Sequence, residues 1–132
     1  MNQLHPEWKE FLELLVSEKV DFVIVGGLAV AFHGRPRLTG DIDVFIRASD
    51  ENAKRVLRAL ERFGFGSIGL KEKDFAVEGF TIQLGREPRR IDILTSISGA
   101  NFAEVWEKRE FGTASTQVLM QQNKTRKMLF LL

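Results

Sequence analysis

Apolar runs and polar breaks alternate along the chain in a way that predicts strands separated by helices. Apolar residues recur at helical spacing over residues 7–17, just after Pro6, which suits the first turn of a helix. The segments DFVIV (21–25) and DIDVFI (41–46) each predict a buried strand. The clearest helix is predicted over 49–65, where acidic residues fill the first turn and an apolar face follows.

The remaining segments carry weaker patterns. In chain order they predict a short helix (28–34), one or two edge strands around Gly79 (75–85), a strand containing Asp92 (89–95), a helix (98–110) and a last helix (116–132). Strands separated by helices favour an α+β (α/β) fold, a mixed twisted β-sheet with helices packed on it. With 132 residues, no internal repeat and no linker, the chain is expected to form a single domain over residues 1–132.

Composition and charge narrow the function classes. Hydrophobic residues make up 44% and charged residues 28%, as in ordinary soluble globular proteins. The 19 Lys and Arg residues almost balance the 18 Asp and Glu residues, so a net charge of +1 gives no general attraction to nucleic acid or membrane. The absence of Cys excludes a disulfide framework and a thiolate nucleophile, and two His residues are too few for a His-based zinc site. The sequence shows no signal peptide and no spanning run, so we expect a cytoplasmic protein without membrane association.

Two aspartates at the start of a predicted strand are the first candidate chemistry. Side chains alternate along a strand, so Asp41 and Asp43 share a face, with α-carbons roughly 6.5–7 Å apart. Two like charges this close require a cation or a proton, and magnesium suits carboxylate oxygens. Asp92 lies in an apolar strand of its own. If that strand is the neighbour of the first, three carboxylates converge and can hold two metal ions for phosphoryl or nucleotidyl displacement.

A glycine pair between the first two strands is the second candidate. Gly26 and Gly27 end one predicted strand and open a short helix, whose N-terminus offers free backbone N–H groups and a positive dipole end. Glycine lets a phosphate approach that backbone closely. Arg35, Arg37 and Thr39 lie in the loop that follows and are suitable contacts to phosphate or base.

Each of these features also has a structural explanation. A glycine pair after a strand can be a tight turn, and an Asp-X-Asp sequence can be a solvated strand end. Asp92 can be a salt-bridged edge residue, because Arg89 and Arg90 stand beside it. Together with Arg86 these arginines are interpreted as a solvated loop, with a nucleic-acid acceptor surface as the alternative.

The order strand, Gly-Gly, short helix, Asp-X-Asp resembles the nucleotidyltransferases of the DNA polymerase β superfamily. More narrowly, VIVGGLAVAFHGRPRLTGDIDVFI is similar to the AbiEii-toxin-like and minimal nucleotidyltransferase subgroup, and ALERFGF and IQLGREPRRIDILTSISGANFAEVW agree with it. The resemblance covers roughly residues 20–106. It implies the polymerase-β-type nucleotidyltransferase fold.

The resemblance also implies a role for each matching residue. Asp41 and Asp43 would ligate two Mg²⁺ ions, with Mn²⁺ as an alternative, and Asp92 would complete the metal site and help activate the acceptor hydroxyl. The catalytic and the metal-binding residues are therefore the same three aspartates. The nucleotide would be bound by Gly26, Gly27, Arg37, Thr39 and Lys124.

The implied activity is Mg²⁺-dependent transfer of a nucleoside monophosphate from an NTP to an acceptor hydroxyl, with release of pyrophosphate. The acceptor is left open between a protein, a transfer RNA and a small molecule. The alternative is a nucleotide- or partner-binding component of a toxin–antitoxin pair with little or no turnover, and a cognate toxin or antitoxin protein is then a partner. A metal-dependent phosphatase or nuclease is a third hypothesis. Gly26 and Gly27 argue against it, because they favour binding of a triphosphate.

The C-terminal segment departs from the resemblance. Lys124 stands where relatives place a lysine on a final helix that reaches the phosphates, and those relatives continue beyond it. Here the sequence runs KTRKMLFLL and stops. Residues 112–132 are therefore expected to be atypical: a truncated or frameshifted product, or a segment completed by forming a homodimer.

Overall fold

A computed structural model of the chain describes residues 5–25, 41–86, 89–108, 110–111 and 119–120. The helices are α1 (Pro6–Ser17), α2 (Asp50–Leu60), which runs into a π-helical turn (Glu61–Phe65), α3 (Lys73–Ala76) and α4 (Phe102–Glu107). The strands are β1 (Phe22–Val25), β2 (Asp41–Ile46), β3 (Thr81–Arg86), β4 (Arg89–Leu94), β5 (Glu110–Phe111) and β6 (Leu119–Met120). Among these residues, no helix is both long and apolar enough to cross a membrane.

A four-stranded mixed sheet organises the described residues. Its strand order is β1-β2-β4-β3. The central pair, β2 and β4, is parallel, whereas β1 pairs with β2 and β3 pairs with β4 in antiparallel fashion. The short strands β5 and β6 form a separate antiparallel pair. The sheet and its helices confirm the predicted α+β fold with a mixed sheet.

One face of the sheet forms the main core against α1 and α2. Helix α1 contributes its apolar stripe because Trp8, Phe11, Leu12 and Leu15 recur at helical spacing and are all buried. The strand residues that meet this stripe and α2 are Phe22, Ile24, Ile42, Val44, Ile46, Ile91 and Ile93. Every second residue of β2 and β4 is therefore committed to this core.

The opposite face is covered at one end by α4. Val23, Val25 and Phe45 pack there against Phe102 and Val105. The Phe45 and Phe102 rings meet edge to face, with centroids 5.1 Å apart. Because alternate residues share a face, this is also the face that carries the side chains of the first and third residues of β2.

Buried Asn52 fixes α2 to the ends of two strands. Its side chain accepts a hydrogen bond from the backbone N–H of Asp21 (2.8 Å) and donates to the carbonyl oxygens of Asp21 (3.1 Å) and Arg47 (2.9 Å). Asp21 directly precedes β1 and Arg47 directly follows β2. The helix that Ser49 caps is thereby held against the ends of β1 and β2, and β2 carries both Asp41 and Asp43.

Two predicted segments differ from the structure, and a third, predicted as one or two edge strands, contains one. Within 75–85 the structure has one edge strand, β3, because the preceding residues form the single turn α3 and Gly79 reverses the chain with a φ of 104°. The helix predicted over 98–110 is confined to α4, which begins at the capping box of Asn101 and Glu104. Leu119–Met120 pair as β6 where a last helix was expected, and the helix predicted over 28–34 lies outside the described residues.

Candidate metal site

The three predicted aspartates lie on one face at the centre of the sheet. Asp41 and Asp43 are half-buried and alternate with buried Ile42 and Val44, as expected for a strand with one face in the core. The parallel pairing of β2 with β4 places Asp43 opposite Asp92. The expectation that the strand of Asp92 lies beside the strand of Asp41 and Asp43 is confirmed.

The three carboxylates are close enough to share a ligand. One oxygen from each of Asp41, Asp43 and Asp92 lies within 4.8 Å of the other two. Asp92 is buried, with 6% of its surface exposed. Such a group of like charges, partly removed from water, is unfavourable unless a cation or protons compensate it.

The pKa values of Asp43 and Asp92 reflect burial first and the neighbouring charges second. Burial, followed by the charges of Asp41 and Asp92, raises the pKa of Asp43 to about 6, against the smaller opposing effect of Arg90. Burial also raises the pKa of Asp92, opposed by the hydrogen bond that this carboxylate accepts from Arg90. In both cases desolvation is the largest cause.

Arg90 enters the same cluster. Its ion pair with Asp92 agrees with the sequence alternative of a salt-bridged Asp92, whereas its ion pair with Asp41 was not expected. Its Nη2 donates to Oδ2 of Asp41 (3.1 Å) and its Nε donates to Oδ1 of Asp92 (3.2 Å). From sequence, Arg90 was interpreted as part of a solvated loop with Arg86 and Arg89. The overlooked signal is alternation: Arg90 is two residues before Asp92 in one strand, so both side chains share a face.

The edge strand β3 borders the site on the side away from β2. Gln83 is exposed and lies opposite Asp92, and exposed Gly85 lies opposite Arg90. Gly85 has a φ of 81°, in the left-handed region that favours glycine. The amide of Gln83 therefore lies beside Asp92, and Gly85, which has no side chain, lies beside Arg90.

The donor set fits a hard divalent cation. Magnesium and manganese prefer carboxylate oxygens, and three such groups converge here. Aspartates at this spacing can hold one ion or a closely spaced pair. The site residues predicted for the nucleotide, by contrast, lie outside the described residues and stay predictions: Gly26, Gly27, Arg37, Thr39 and Lys124.

Comparisons with known proteins give a family and a fold. The family model described as "Nucleotidyl transferase AbiEii toxin, Type IV TA system" matches residues 10–112, which include all three aspartates and Arg90 but not Lys124. A crystal structure from Thermotoga maritima, provisionally described as a nucleotidyltransferase, superposes with a TM-score of 0.60 at 17% identity, over 91% of this chain and 80% of that one. At that identity the likeness concerns the fold. No curated protein sequence matches the chain significantly.

Proposed function

Because the chain belongs to the AbiEii family of nucleotidyltransferase toxins, we propose that it is a Mg²⁺-dependent nucleotidyltransferase. It moves a nucleoside monophosphate from an NTP to an acceptor hydroxyl and releases pyrophosphate. The observation that carries this proposal is the convergence of Asp41, Asp43 and Asp92 on one face of the sheet. Neither the family description nor the fold names the acceptor, so the proposal is limited to this reaction class.

The three aspartates have two tasks in this reaction. Asp41, Asp43 and Asp92 hold one or two Mg²⁺ ions, or Mn²⁺, which when bound supply positive charge to the α-phosphate and the departing pyrophosphate. Asp92 also accepts the proton of the acceptor hydroxyl, as the buried carboxylate that lies on the β3 side of the cluster. The hydroxyl oxygen then bonds to the α-phosphorus, and the bond from that phosphorus to the β-phosphate oxygen breaks, its electron pair leaving with pyrophosphate.

Strand order suggests where each of the two substrates would bind in this proposal. The predicted phosphate-binding pair, Gly26 and Gly27, follows β1, which lies beyond β2 as seen from Asp92. The edge strand β3, with exposed Gln83, lies on the other side of Asp92. This order supports the proposal that the triphosphate binds on the β1 side of Asp92 and the acceptor on the β3 side.

Nucleotide binding is the first test of this function. We would measure thermal unfolding with each of the four NTPs, with and without Mg²⁺, in the wild type and in Asp43→Asn. A ligand at 100 times its dissociation constant stabilises a protein by about 2.7 kcal/mol, which raises the Tm by several degrees in a domain of this size. Asp50→Asn is the matched control, because it removes an exposed aspartate from the first turn of α2. A nucleotide shift that survives in Asp43→Asn would contradict the metal assignment.

Turnover is the second test. Transfer from α-³²P-labelled NTPs would be followed with total tRNA and with a cell protein extract as acceptors, alongside pyrophosphate release. Asp41→Asn should abolish both signals without unfolding the protein. Full activity in Asp41→Asn would refute the role of the aspartates. A nucleotide shift without turnover in either acceptor pool would favour the binding component of a toxin–antitoxin pair.

The toxin description of the family adds a cellular expectation. We propose that expression of the wild-type chain slows bacterial growth, that Asp41→Asn does not, and that a cognate antitoxin counteracts the effect. Growth curves of the two strains at matched protein levels, measured by immunoblot, test the first two points. Equal growth arrest by both proteins would separate toxicity from nucleotidyl transfer.

A further inference from the structure

We propose that Arg90 is a built-in counter-ion of the acidic site, which must leave the carboxylates before a divalent metal ion binds, and which then pairs with the triphosphate. The inference rests on the proposed function only for the identity of that second partner. It assigns Arg90 as a positioning residue that makes the site selective for a metal ion arriving with a phosphate chain over a free metal ion.

The geometry of the guanidinium carries this inference. Arg90 donates from two different nitrogens to two different carboxylates, Asp41 and Asp92, so it spans the cluster instead of lying at its rim. A single flexible Lys would place a point charge there, whereas the planar fork of Arg is suited to bridging two carboxylate groups. The oxygens that it occupies belong to the same carboxylates that would ligate a metal ion.

Competition follows from charge and from space. A metal ion that binds Asp41 and Asp92 competes for carboxylates now bonded to Arg90, and the two cations repel each other at short range. Arg90 forms ion pairs with Asp41 and Asp92, and Asp43 makes no ion pair with any residue that the structure describes. The counter-ion therefore neutralises part of the cluster and leaves one carboxylate as the entry point for the metal.

The released guanidinium needs a new anionic partner. Its side chain is 28% exposed, so it can turn towards solvent while its backbone stays fixed in the centre of the sheet. Opposite it on β3 stands Gly85, which has no side chain to obstruct that movement. A triphosphate brought in with the metal offers pairs of phosphate oxygens that can accept two hydrogen bonds from the same planar fork, so the charge on Arg90 stays paired throughout.

Mn²⁺ binding without nucleotide tests the first half of the inference. Free Mn²⁺ would be measured by electron paramagnetic resonance during titration of the wild type, Arg90→Gln, Arg90→Lys and Arg55→Gln, with folding checked by circular dichroism. Loss of a unit charge a few ångströms from the ligands should tighten Mn²⁺ binding roughly ten- to hundredfold in Arg90→Gln. Arg90→Lys keeps the charge but loses the fork that bridges Asp41 and Asp92, so its Mn²⁺ affinity should lie between those of the wild type and Arg90→Gln. Arg55→Gln removes the same charge from the surface of α2, where Arg55 pairs with Glu51, and should leave Mn²⁺ affinity unchanged.

The second half is tested with the Mn²⁺ complex of inorganic tripolyphosphate, titrated calorimetrically into the same variants. The preference of the protein for this complex over Mn²⁺ alone should fall at least about tenfold in Arg90→Gln. Mn²⁺ affinity that is equal or weaker in Arg90→Gln would overturn the inference, as would an unchanged preference for the complex. A gain in Mn²⁺ affinity in Arg90→Gln would support the role of Arg90 as a counter-ion. If no NTP changed the Tm of the wild type as well, the proposed function would be refuted while that role stood.

Discussion

The three aspartates of this site have the same side chain but differ in burial and in the charges around them. Asp92 is buried and bonded to Arg90, whereas Asp43 is half-buried and its pKa rises to about 6. In both, removal from water is the main cause of the raised pKa, so the backbone positions that the sheet imposes set the chemistry of each residue.

At this scale, metal-free stability should depend on pH in an unusual direction. The pKa of Asp43 is raised in the folded state, so the folded protein binds this proton more tightly than the unfolded chain does. The contribution of Asp43 to stability is therefore greatest below pH 4 and is lost as the pH rises towards about 6. In EDTA, the Tm difference between wild type and Asp43→Asn should widen from pH 4 to pH 7, with the wild type the less stable at pH 7. A constant difference across this range would contradict the prediction.

Metal should reverse that dependence. Protons and Mn²⁺ compete for the carboxylate of Asp43, so the stabilisation by saturating Mn²⁺ should be small at pH 5 and large at pH 7.5. Thermal unfolding with and without Mn²⁺ at the two pH values measures this directly. Asp50→Asn serves again as the control, and its response to Mn²⁺ should match that of the wild type.

The sequence predicts the aspartates better than it predicts their counter-ion. Alternation along two strands is enough to group Asp41, Asp43 and Asp92, once their strands are assumed to be neighbours. Arg90 lies near the beginning of β4, and the ends of strands are the part of a secondary structure that is hardest to predict from sequence. Its role depends on the parallel register that brings it opposite Asp41, and that register is a tertiary property.

Among the elements, buried polar side chains decide how helices and strands are joined. Asn52 links α2 to the residues flanking β1 and β2, and buried Thr95 extends the pairing of β3 with β4 by bonding both the N–H and the carbonyl of Phe80. Such groups stabilise only when every hydrogen bond is made. They hold the strands of the acidic site in register from a distance.

Removing Asn52 should therefore destabilise the whole sheet. Asn52→Ala leaves the backbone groups of Asp21 and Arg47 without their buried partners, and we expect a loss of about 2–4 kcal/mol in the free energy of unfolding. The control Arg55→Gln breaks an exposed pair with Glu51 and should cost about 0.5 kcal/mol or less. Urea unfolding at constant m-value measures both. Equal small losses would mean that water replaces Asn52.

The segment before β3 shows where sequence patterns fail at this scale. Residues 75–85 read as edge strand because apolar and polar residues alternate, yet the first two close α3 and Gly79 turns the chain. Phe75 of α3 is fully buried. A helix of one turn is stabilised by such contacts with other elements and not by its own helix propensity. Long, strongly periodic segments such as α1, β2 and α2 were predictable because burial and pattern agree in them.

At the scale of the whole molecule, the four-stranded sheet has two unequal faces. The larger face carries α1 and α2, and the smaller face carries α4 beside the acidic site. Both depend on the same strands, so the expected single domain should unfold in one step. The mixed sheet could be predicted in outline, but strand order could not, because it depends on non-local pairing.

The two tryptophans can test this directly. Trp8 is buried on the α1 side, and Trp106 stacks on Phe102 on the α4 side. Trp8→Phe leaves Trp106 as the fluorescent reporter for the α4 face. Trp106→Phe leaves Trp8 as the reporter for the α1 face. In each variant, the unfolding midpoint by fluorescence should coincide with that by far-ultraviolet circular dichroism. Fluorescence midpoints that precede the loss of circular dichroism would mean that the faces unfold separately.

The parallel pairing of β2 with β4 also sets when the site comes into existence during folding. Asp41 and Arg90 are 49 residues apart along the chain, whereas β3 and β4 are nearly adjacent in sequence. Closing the longer loop carries the larger entropic cost, so the β3–β4 hairpin can form before the acidic cluster exists. A divalent ion then has nothing to bind until most of the sheet is built. Mn²⁺ should therefore lengthen the lifetime of the native protein against unfolding while leaving its refolding rate unchanged.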